Sequence, residues 1–409
     1  MTISFSIIIN TYNRAVLLED AILGLSELDY YNFEVIVVNG PSSDHTEDVL
    51  DKWKGKIKIG RCEEPNLSMS RNVGVELASG EVIAFIDDDA VPHPSWLRQL
   101  APHYLNQNVG GVGGFTIDNT GLAYQVRKTI CDRFGNAHFP SDFFDERPLS
   151  IVGSPFYPSL LGTNSSFRAT ALREIGGFDH TFAYLLDETD VCLRLVDHGY
   201  NIIYEPNALV YHQFAPSHIR SKNKIPKTLY PSAVSKSYFI HKHGGEFSEQ
   251  RAANELQKYE QEILASNKWL VDHNEITQQH RVSLDDDLLF GIQEGSKRAL
   301  HAIVAKKGQQ GDLDSSKTPE KFLPMAPKIG LTIALVSRSF PPKIEDGIAR
   351  WTWMMANGLA ERGHKVHVIT LATPEPFTRY ENGYWIHAIE EDQSEDGARV
   401  AVQKNIPSG

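Results

Sequence analysis

The chain has 409 residues, of which 41% are hydrophobic and 22% charged, a composition typical of a soluble globular protein with two or three domains. Its formal net charge of −12 argues against a broad nucleic-acid-binding surface. The N-terminus lacks a signal-peptide pattern, and no apolar run approaches the roughly 20 residues of a spanning helix. The three cysteines show no metal-ligand spacing. We therefore expect a cytoplasmic protein without a transmembrane segment.

From the N-terminus to about residue 116, short apolar runs alternate with segments of helical periodicity. The strand patterns cover residues 5–9, 35–38, 57–59, 82–86 and 111–115. The helical patterns cover residues 15–28, 46–53, 67–78 and 96–105. Repeated strand–helix units predict an α/β fold with a mostly parallel central sheet and helices on both faces.

Three consecutive aspartates, Asp87, Asp88 and Asp89, directly follow the apolar run at residues 82–86. A buried strand that ends in carboxylates would deliver them to the crevice where open α/β sheets bind ligands. Adjacent carboxylates repel one another, and a hard divalent ion with oxygen ligands, Mn²⁺ or Mg²⁺, would relieve that repulsion. Taken alone, the run is equally compatible with a solvated acidic turn.

Beyond residue 116 the pattern becomes irregular, and residues 117–161 mix aromatic residues, prolines and charges as a functional loop or lid would. A strand at 164–167, a helix at 189–198 and two short strands at 202–204 and 209–211 follow. Residues 216–304 are predicted to be a mainly helical extension and residues 305–328 a linker. A second strand–helix–strand unit then begins, with strands at 332–336 and 366–369 and a helix at 348–362.

Several short motifs occur in one order along the first half of the chain. They are Asn10-Thr11-Tyr12-Asn13-Arg14, Asn39-Gly40-Pro41-Ser42-Ser43-Asp44, Ser70-Arg71-Asn72-Val73-Gly74, Asp87-Asp88-Asp89, Gly162-Thr163-Asn164, Gly176-Gly177-Phe178-Asp179, Asp187-Glu188-Thr189-Asp190 and Tyr204-Glu205-Pro206 leading to His212. Over residues 3–212 this series resembles the family-2 glycosyltransferases of the GT-A fold. The resemblance implies a GT-A nucleotide-diphospho-sugar transferase domain at residues 1–215.

The resemblance also implies a nucleotide-sugar donor and a divalent cation. Asp89 would be the metal ligand, with Asp87 and His212 as further candidates, while Asp87 and Asp88 would contact the ribose or support the metal. The donor-binding residues that it implies are Thr11, Tyr12, Asn13, Asn39, Arg71, Asp87 and Asp88. Many family members have an aspartate where this chain has Asn39, so the resemblance does not transfer a base preference.

The same resemblance implies inverting transfer by one direct displacement onto a saccharide or lipid-linked acceptor, with a carboxylate as general base. We assign that base to Glu188, with Asp187 as the competitor, because the family's acidic pair is inverted here. Gly162, Thr163 and Asn164 are assigned to the acceptor side, and Asp190 either to that side or to the helix start. Such enzymes often build cell-surface polysaccharide or glycoconjugates, which suggests peripheral association with the inner membrane face.

Two alternatives remain open at the level of sequence. One is a decayed module that binds nucleotide sugars without turnover. The other is a sugar-phosphate nucleotidyltransferase, which is disfavoured because the first loop contains no glycine to hold a triphosphate. Residues 329–409 resemble the beginning of a family-4 GT-B glycosyltransferase, an incomplete Rossmann-like segment from which we expect no independent activity.

Overall fold

The computed structural model of the chain describes residues 2–221, 223–245, 248–304, 311–314, 316–341, 347–372 and 374–390. Its strands are β1 (Phe5–Thr11), β2 (Phe33–Asn39), β3 (Lys58–Arg61), β4 (Val82–Asp87), β5 (Ala90–Pro92), β6 (Val109–Ile117), β7 (Tyr124–Val126), β8 (Ile130–Asp132), β9 (Ala137–His138), β10 (Phe156–Pro158), β11 (Ser165–Arg168), β12 (Asn201–His212), β13 (Thr332–Val336), β14 (Lys365–Leu371), β15 (Phe377–Glu381) and β16 (Tyr384–Ile389). Its helices are α1 (Ala15–Leu25), α2 (Thr46–Lys52), α3 (Leu67–Leu77), α4 (Trp96–Leu100), α5 (Ala169–Glu174), α6 (Asp187–Asp197), α7 (Tyr230–Phe239), α8 (Glu249–Asp272), α9 (Gln278–Val304) and α10 (Gly347–Glu361).

Within these described ranges, a nine-stranded sheet forms the centre of the first 212 residues, in the order β3-β2-β1-β4-β11-β6-β12-β5, with β7 pairing along β6. Strands β1 to β4 are parallel, as predicted. Strand β11 runs antiparallel between β4 and β6, so the sheet is mixed and less parallel than expected. Residues 118–164 connect β6 to β11 and contain β7 to β10 rather than a crossover helix, so β11 is not part of the repeated strand–helix pattern that predicts parallel strands. The α/β fold class itself is confirmed.

Alternate residues of the central strands pack into two separate cores. On β1, Ile7 and Ile9 contribute to one core and Ile8 to the other. Helices α1 and α4 cover the first core, and helices α3 and α6 cover the second. Burial on both faces explains why the strands are continuous apolar runs rather than alternating ones. The carboxyl ends of β1, β2 and β4 meet at one edge of this sheet, where the polar motifs follow.

The region predicted to be an irregular loop contains short strands. Strand β7 extends the central sheet, and β8, β9 and β10 form a separate three-stranded sheet in the order β10-β8-β9. The two strands predicted at 202–204 and 209–211 are one strand, β12, with a register shift between Glu205 and Val210 that accommodates Pro206.

The helical extension packs onto the first domain through α7, whose Tyr238 and Phe239 join the second core. Helices α7 and α9 lie so close that a Cβ on Gly291 would be 2.6 Å from the Cβ of Ala233. The described part of the predicted linker packs against the first domain. Its Leu313 N–H donates to the carbonyl of Gly176, and Met325 is buried in the first core and donates to the carbonyl of Phe33.

The C-terminal segment contains the predicted β13–α10–β14 unit, in which β13 and β14 are parallel. Strands β16 and β15 extend this sheet, and Trp385 of β16 packs against Tyr211 of β12. The resemblance of this segment to a GT-B enzyme stays a prediction, and its residues 391–409 lie outside the described residues. None of the helices in the described ranges combines the length and apolar character that crossing a bilayer requires.

Candidate functional site

A cavity of about 430 Å³ opens at the carboxyl ends of β1 and β4. Most of the residues predicted from the sequence line it. They are Thr11, Tyr12, Arg71, Asp87, Asp88, Asp89, Gly162, Thr163, Asp187, Glu188 and His212. These residues are up to 201 positions apart in the chain and converge because three strand ends and the start of α6 meet at this edge of the sheet. We refer to this space as the catalytic cavity.

Two of the three aspartates and one histidine form a cluster on the cavity wall. Ligand atoms of Asp87, Asp89 and His212 all lie within 4.8 Å of one another. His212 Nδ1 donates to the Gln125 amide oxygen at 2.8 Å, which directs Nε2 towards the carboxylates. Nε2 lies 3.3 Å from Asp89 Oδ1 and 3.7 Å from Asp87 Oδ2. This buried nitrogen nevertheless makes no well-aligned hydrogen bond.

This donor set fits a divalent cation. Two carboxylate groups and an imidazole nitrogen converge, and the nitrogen is held in place by a hydrogen bond at its other ring position. Burial acts to raise the pKa of Asp89, but His212, Arg14 and the Ala215 N–H outweigh it and lower that pKa to about 2. Asp89 is therefore ionised at neutral pH, as a metal-binding carboxylate must be.

Asp88 faces away from this cluster. It accepts hydrogen bonds from Thr11 Oγ1 at 2.8 Å and from Arg14 Nη1 at 2.7 Å. The other end of the Arg14 guanidinium donates to the carbonyls of Ala215 at 3.1 Å and Pro216 at 2.8 Å. Arg14 thus joins the aspartate turn to the segment that follows β12.

The acidic pair at the start of α6 contacts Arg71. Arg71 forms a close ion pair with Asp187, and its Nη1 lies 3.5 Å from Glu188 Oε2. Its guanidinium also lies over the rings of Phe85 and Phe178, at 5.5 and 5.3 Å. Arg71 therefore lies on the cavity wall as the counter-ion of the acidic pair, and the donor contact implied by the sequence resemblance stays a prediction.

The two carboxylates of the pair differ in exposure and in protonation. The side chain of Glu188 is 16% exposed, against 1% for Asp187. Burial raises the pKa of Asp187 well above its usual value, and the neighbouring Glu188 raises it further. Burial also opposes ionisation of Glu188, but the hydrogen bond from Asp187 and the charge of Arg71 outweigh it and lower the pKa of Glu188. Glu188 is the accessible, ionised member of the pair.

Local backbone geometry holds this pair in place. The Gly162 N–H donates to Glu188 Oε1 at 3.2 Å, and a Cβ on Gly162 would be 2.5 Å from Arg71 Nη2. Leu185 and Leu186, just before α6, both have left-handed φ angles of 67° and 64°. Strained residues of this kind persist where the surrounding structure requires them, often at functional sites.

Four residues predicted for the site do not line the cavity, namely the three asparagines Asn13, Asn39 and Asn164 and the aspartate Asp190. The Asn13 amide oxygen accepts from the Ser43 N–H, and Asn39 bonds to Glu47 and Ser42, so both amides organise the loop after β2. The Asn164 amide bonds to Trp96 and to two main-chain carbonyls. The partners of Asn39 and Asn164 within the fold argue against roles for these two amides in donor or acceptor binding, whereas the donor-binding role of the exposed Asn13 stays a prediction.

Asp190 is fully buried and does not line the cavity. It pairs with Arg194 at 2.6 Å and with Lys242 at 2.9 Å, and it accepts a hydrogen bond from His243 at 2.7 Å. The charges of Arg194 and Lys242 and the hydrogen bond from His243 hold its pKa well below the usual value despite burial. Its assignment to the acceptor side is therefore replaced by a structural role at the start of α6.

Sequence reasoning missed several residues of the cavity wall. They are Arg14, Gln125, Phe214, His218 and Arg220. His218 packs edge-on against Tyr12, with ring centroids 5.1 Å apart, and the Arg220 guanidinium lies 3.9 Å from the Phe214 ring centroid. For Phe214, His218 and Arg220, the basic and aromatic composition of the segment after His212 could have indicated a place in the site.

The first half of the chain is similar in sequence to known glycosyltransferases. Residues 6–176 match the family model described as Glycosyl transferase family 2. A glucosyl-dolichyl phosphate glucuronosyltransferase of Haloferax volcanii is 27% identical over 230 residues, which are 51% of this chain and 68% of that protein. A GalNAc(5)-diNAcBac-PP-undecaprenol beta-1,3-glucosyltransferase of Campylobacter jejuni is 38% identical over 89 residues, 20% of this chain and 29% of that protein.

Among solved structures, a mannosyltransferase of Pyrobaculum calidifontis in complex with GDP-Man and Mn²⁺ aligns with a TM-score of 0.42 and 16% identity, covering 75% of this chain and 89% of that one. The family match itself spans β1 to α5, and therefore includes the aspartate turn and the first motifs of the cavity. Over residues 6–176 the chain is therefore similar to glycosyl transferase family 2.

Proposed function

We propose that this protein is a metal-dependent, inverting glycosyltransferase that moves a sugar from a nucleoside-diphosphate sugar to a hydroxyl of a saccharide or lipid-linked acceptor. The observation that carries the proposal is the convergence of Asp87, Asp89 and the buried Nε2 of His212 in the same cavity as Glu188. An ion site and an ionised carboxylate in one cavity are what such a transfer requires.

In this proposal Asp87, Asp89 and His212 hold the divalent ion, Mn²⁺ or Mg²⁺. The bound ion would act as a Lewis acid that offsets the negative charge gathering on the departing nucleoside diphosphate. Tyr12 lies on the wall beside the first strand and offers a ring face to the base. Thr11 and Arg14 fix Asp88, so their contribution is to hold the aspartate turn in shape.

Glu188 is proposed to take the proton from the attacking acceptor hydroxyl. Its ionised, partly exposed carboxylate suits a general base, which typically contributes about 10²–10⁴-fold to the rate. Asp187 and Arg71 act through Glu188 by setting its charge and position. The names of the two relatives include dolichyl phosphate and undecaprenol, which supports a lipid-linked acceptor.

Thermal unfolding in the presence of nucleotide sugars tests the proposal, because a ligand that binds the folded state raises the apparent stability. We expect one nucleoside diphosphate and its sugar conjugates to raise Tm when Mn²⁺ is present, and Asp89→Asn to abolish that shift. Asp48→Asn, which changes an exposed aspartate outside the cavity, is the matched control. An equal shift in Asp89→Asn and wild type would contradict the proposed ion site.

Turnover separates the roles of the acidic pair. Glu188→Gln should retain the Mn²⁺-dependent Tm shift and lose most of the transfer or donor-hydrolysis rate. Full activity in Glu188→Gln together with loss of activity in Asp187→Asn would reverse the assignment of the base. Donor binding by the wild type without any turnover on any acceptor would instead indicate a binding module.

A further inference from the structure

A second cavity, of about 620 Å³, lies beside the catalytic cavity. Gln125, the residue that orients His212, lines both cavities. Strand β7 supplies one wall of the second cavity, and residues 139–142 supply another. We call this space the side cavity.

The polar side chains on its walls are largely committed to partners within the protein. Arg127 donates to Asp142 at 2.8 Å, Lys128 donates to Glu146 at 2.8 Å, and the Gln125 amide oxygen accepts from His212. The other lining residues are Ser141 and the largely apolar Leu122, Ala123, Tyr124, Val126, Phe139 and Pro140. A saccharide needs many hydrogen bonds from its site, whereas a hydrocarbon chain needs apolar contact, which is what this wall supplies.

Aromatic side chains at the mouth of the side cavity reach the surface. Phe139, which lines the cavity, is 71% exposed, and Phe143, just beyond the lining residues 139–142, is 99% exposed. The ring of Phe156 lies 5.6 Å from that of His138, the residue before Phe139. Exposed apolar side chains next to a cavity are typical of a binding site.

We propose that the side cavity, with Phe139 and Phe143 at its mouth, binds the hydrocarbon chain of a lipid-linked acceptor. The reactive end of that acceptor would lie in the catalytic cavity, and the chain would pass Gln125 into the side cavity. This inference rests on the proposed glycosyl transfer and specifies its acceptor class. It also explains why the region predicted from sequence to be a functional loop presents aromatic rings to solvent.

The test uses the full chain and compares two probes that share a phosphate but differ in chain length, farnesyl phosphate and dimethylallyl phosphate. Their binding is measured by isothermal titration calorimetry in the presence of UDP and Mn²⁺. We expect the longer chain to bind at least tenfold more tightly, and the Phe139→Ser/Phe143→Ser double variant to lose at least tenfold in farnesyl phosphate affinity, since each lost ring removes apolar contact. Both rings are exposed, so the variant should keep the wild-type Tm.

Tyr31→Ser is the matched control, because Tyr31 is 78% exposed and precedes β2 at the sheet edge opposite the site. Equal binding of both probes, or an unchanged affinity in the double variant, would overturn the inference. So would equally tight binding to phosphatidylcholine vesicles without any prenyl lipid, which would assign the rings to a bilayer surface. A nucleotide-dependent Tm shift without any chain-length effect would reject this inference while leaving the proposed transfer intact. The chain-length effect without any nucleotide response would support the apolar site and reject the transfer.

Discussion

Replacement of Arg71 by methionine should raise the pKa of Glu188 and move the acid limb of the pH–rate profile to higher pH. In the wild type, the charge of Arg71 helps to lower the pKa of Glu188 against the effect of burial. Without that charge, Asp187 and Glu188 remain close together in a mostly buried site, and one proton is retained by the pair to higher pH. The proposed base must be ionised to act, so activity is lost earlier as the pH falls.

The distance sets the size of the effect. Arg71 Nη1 lies 3.5 Å from Glu188 Oε2. With an effective dielectric constant of about 20, that separation corresponds to roughly 5 kcal/mol. Glu188 is partly exposed to water in the cavity, which screens the interaction, and we therefore expect the acid limb to move to higher pH by less than this energy alone implies. Loss of one member of a buried ion pair should also lower the free energy of unfolding by about 3–5 kcal/mol.

The assay is kcat/KM for donor turnover over a wide pH range, with folding checked by Tm. Arg61→Met is the matched control, because Arg61 pairs on the surface with Glu47 and does not line the cavity. It should leave the pH profile unchanged and cost at most about 1 kcal/mol. Arg71→Lys, which keeps the charge, should restore part of the wild-type profile. A folded Arg71→Met enzyme with an unshifted acid limb would refute this account of the acidic pair.

Three further perturbations test other parts of the structure. Gln125→Leu removes the acceptor that orients His212 and should weaken Mn²⁺ binding about 10–100-fold in calorimetric titrations. Asp190→Asn leaves buried cations such as Arg194 without their full counter-charge, so urea denaturation should show a loss of about 3–5 kcal/mol. Burial raises the pKa of Asp20 to about 7, so the folded state holds a proton that the unfolded chain has released, and the contribution of Asp20 to stability should fall as the pH rises from about 4 to about 7. Asp20→Asn should remove that dependence and stabilise the protein at alkaline pH by at most about 4 kcal/mol, with no gain at acid pH, as measured by denaturation at both.

Much of the sheet was predictable because burial on both faces produces continuous apolar runs. The runs that became β1, β2 and β4 stand out from their surroundings, and their ends are marked by polar motifs. The direction of β11 was not predictable from its own residues, since pairing direction depends on the connection that precedes a strand. The continuity of β12 was equally hidden, because Pro206 indicates a break where the structure has a bulge.

The site was predictable where a residue type has a chemical reason to be exposed in a cavity, as with Asp87 and Asp89. It was not predictable where long-range partners decide the role. Arg71 and Asp187 are 116 positions apart, and nothing in either local sequence indicates that they form an ion pair. Asp190 has the same carboxylate as Asp187, but it is paired with Arg194 and Lys242 and does not line the cavity, which indicates a structural role.

The charges around the aspartate turn show why this chain can keep three adjacent carboxylates. Arg14 Nη1 lies 2.7 Å from Asp88 Oδ1 and 3.5 Å from Asp89 Oδ1, and the guanidinium is itself held by the main-chain carbonyls of Ala215 and Pro216. Asp87 and Asp89 also face one imidazole nitrogen, and a divalent ion there would balance the negative charge that Arg14 leaves. The Ala215 N–H also donates to Asp89. The segment after β12 is therefore attached to the aspartate turn twice, directly through Asp89 and indirectly through Arg14. The contacts of Arg14 and of the Ala215 N–H therefore fix both the position of that segment on the cavity wall and the position of the carboxylates that would bind the ion.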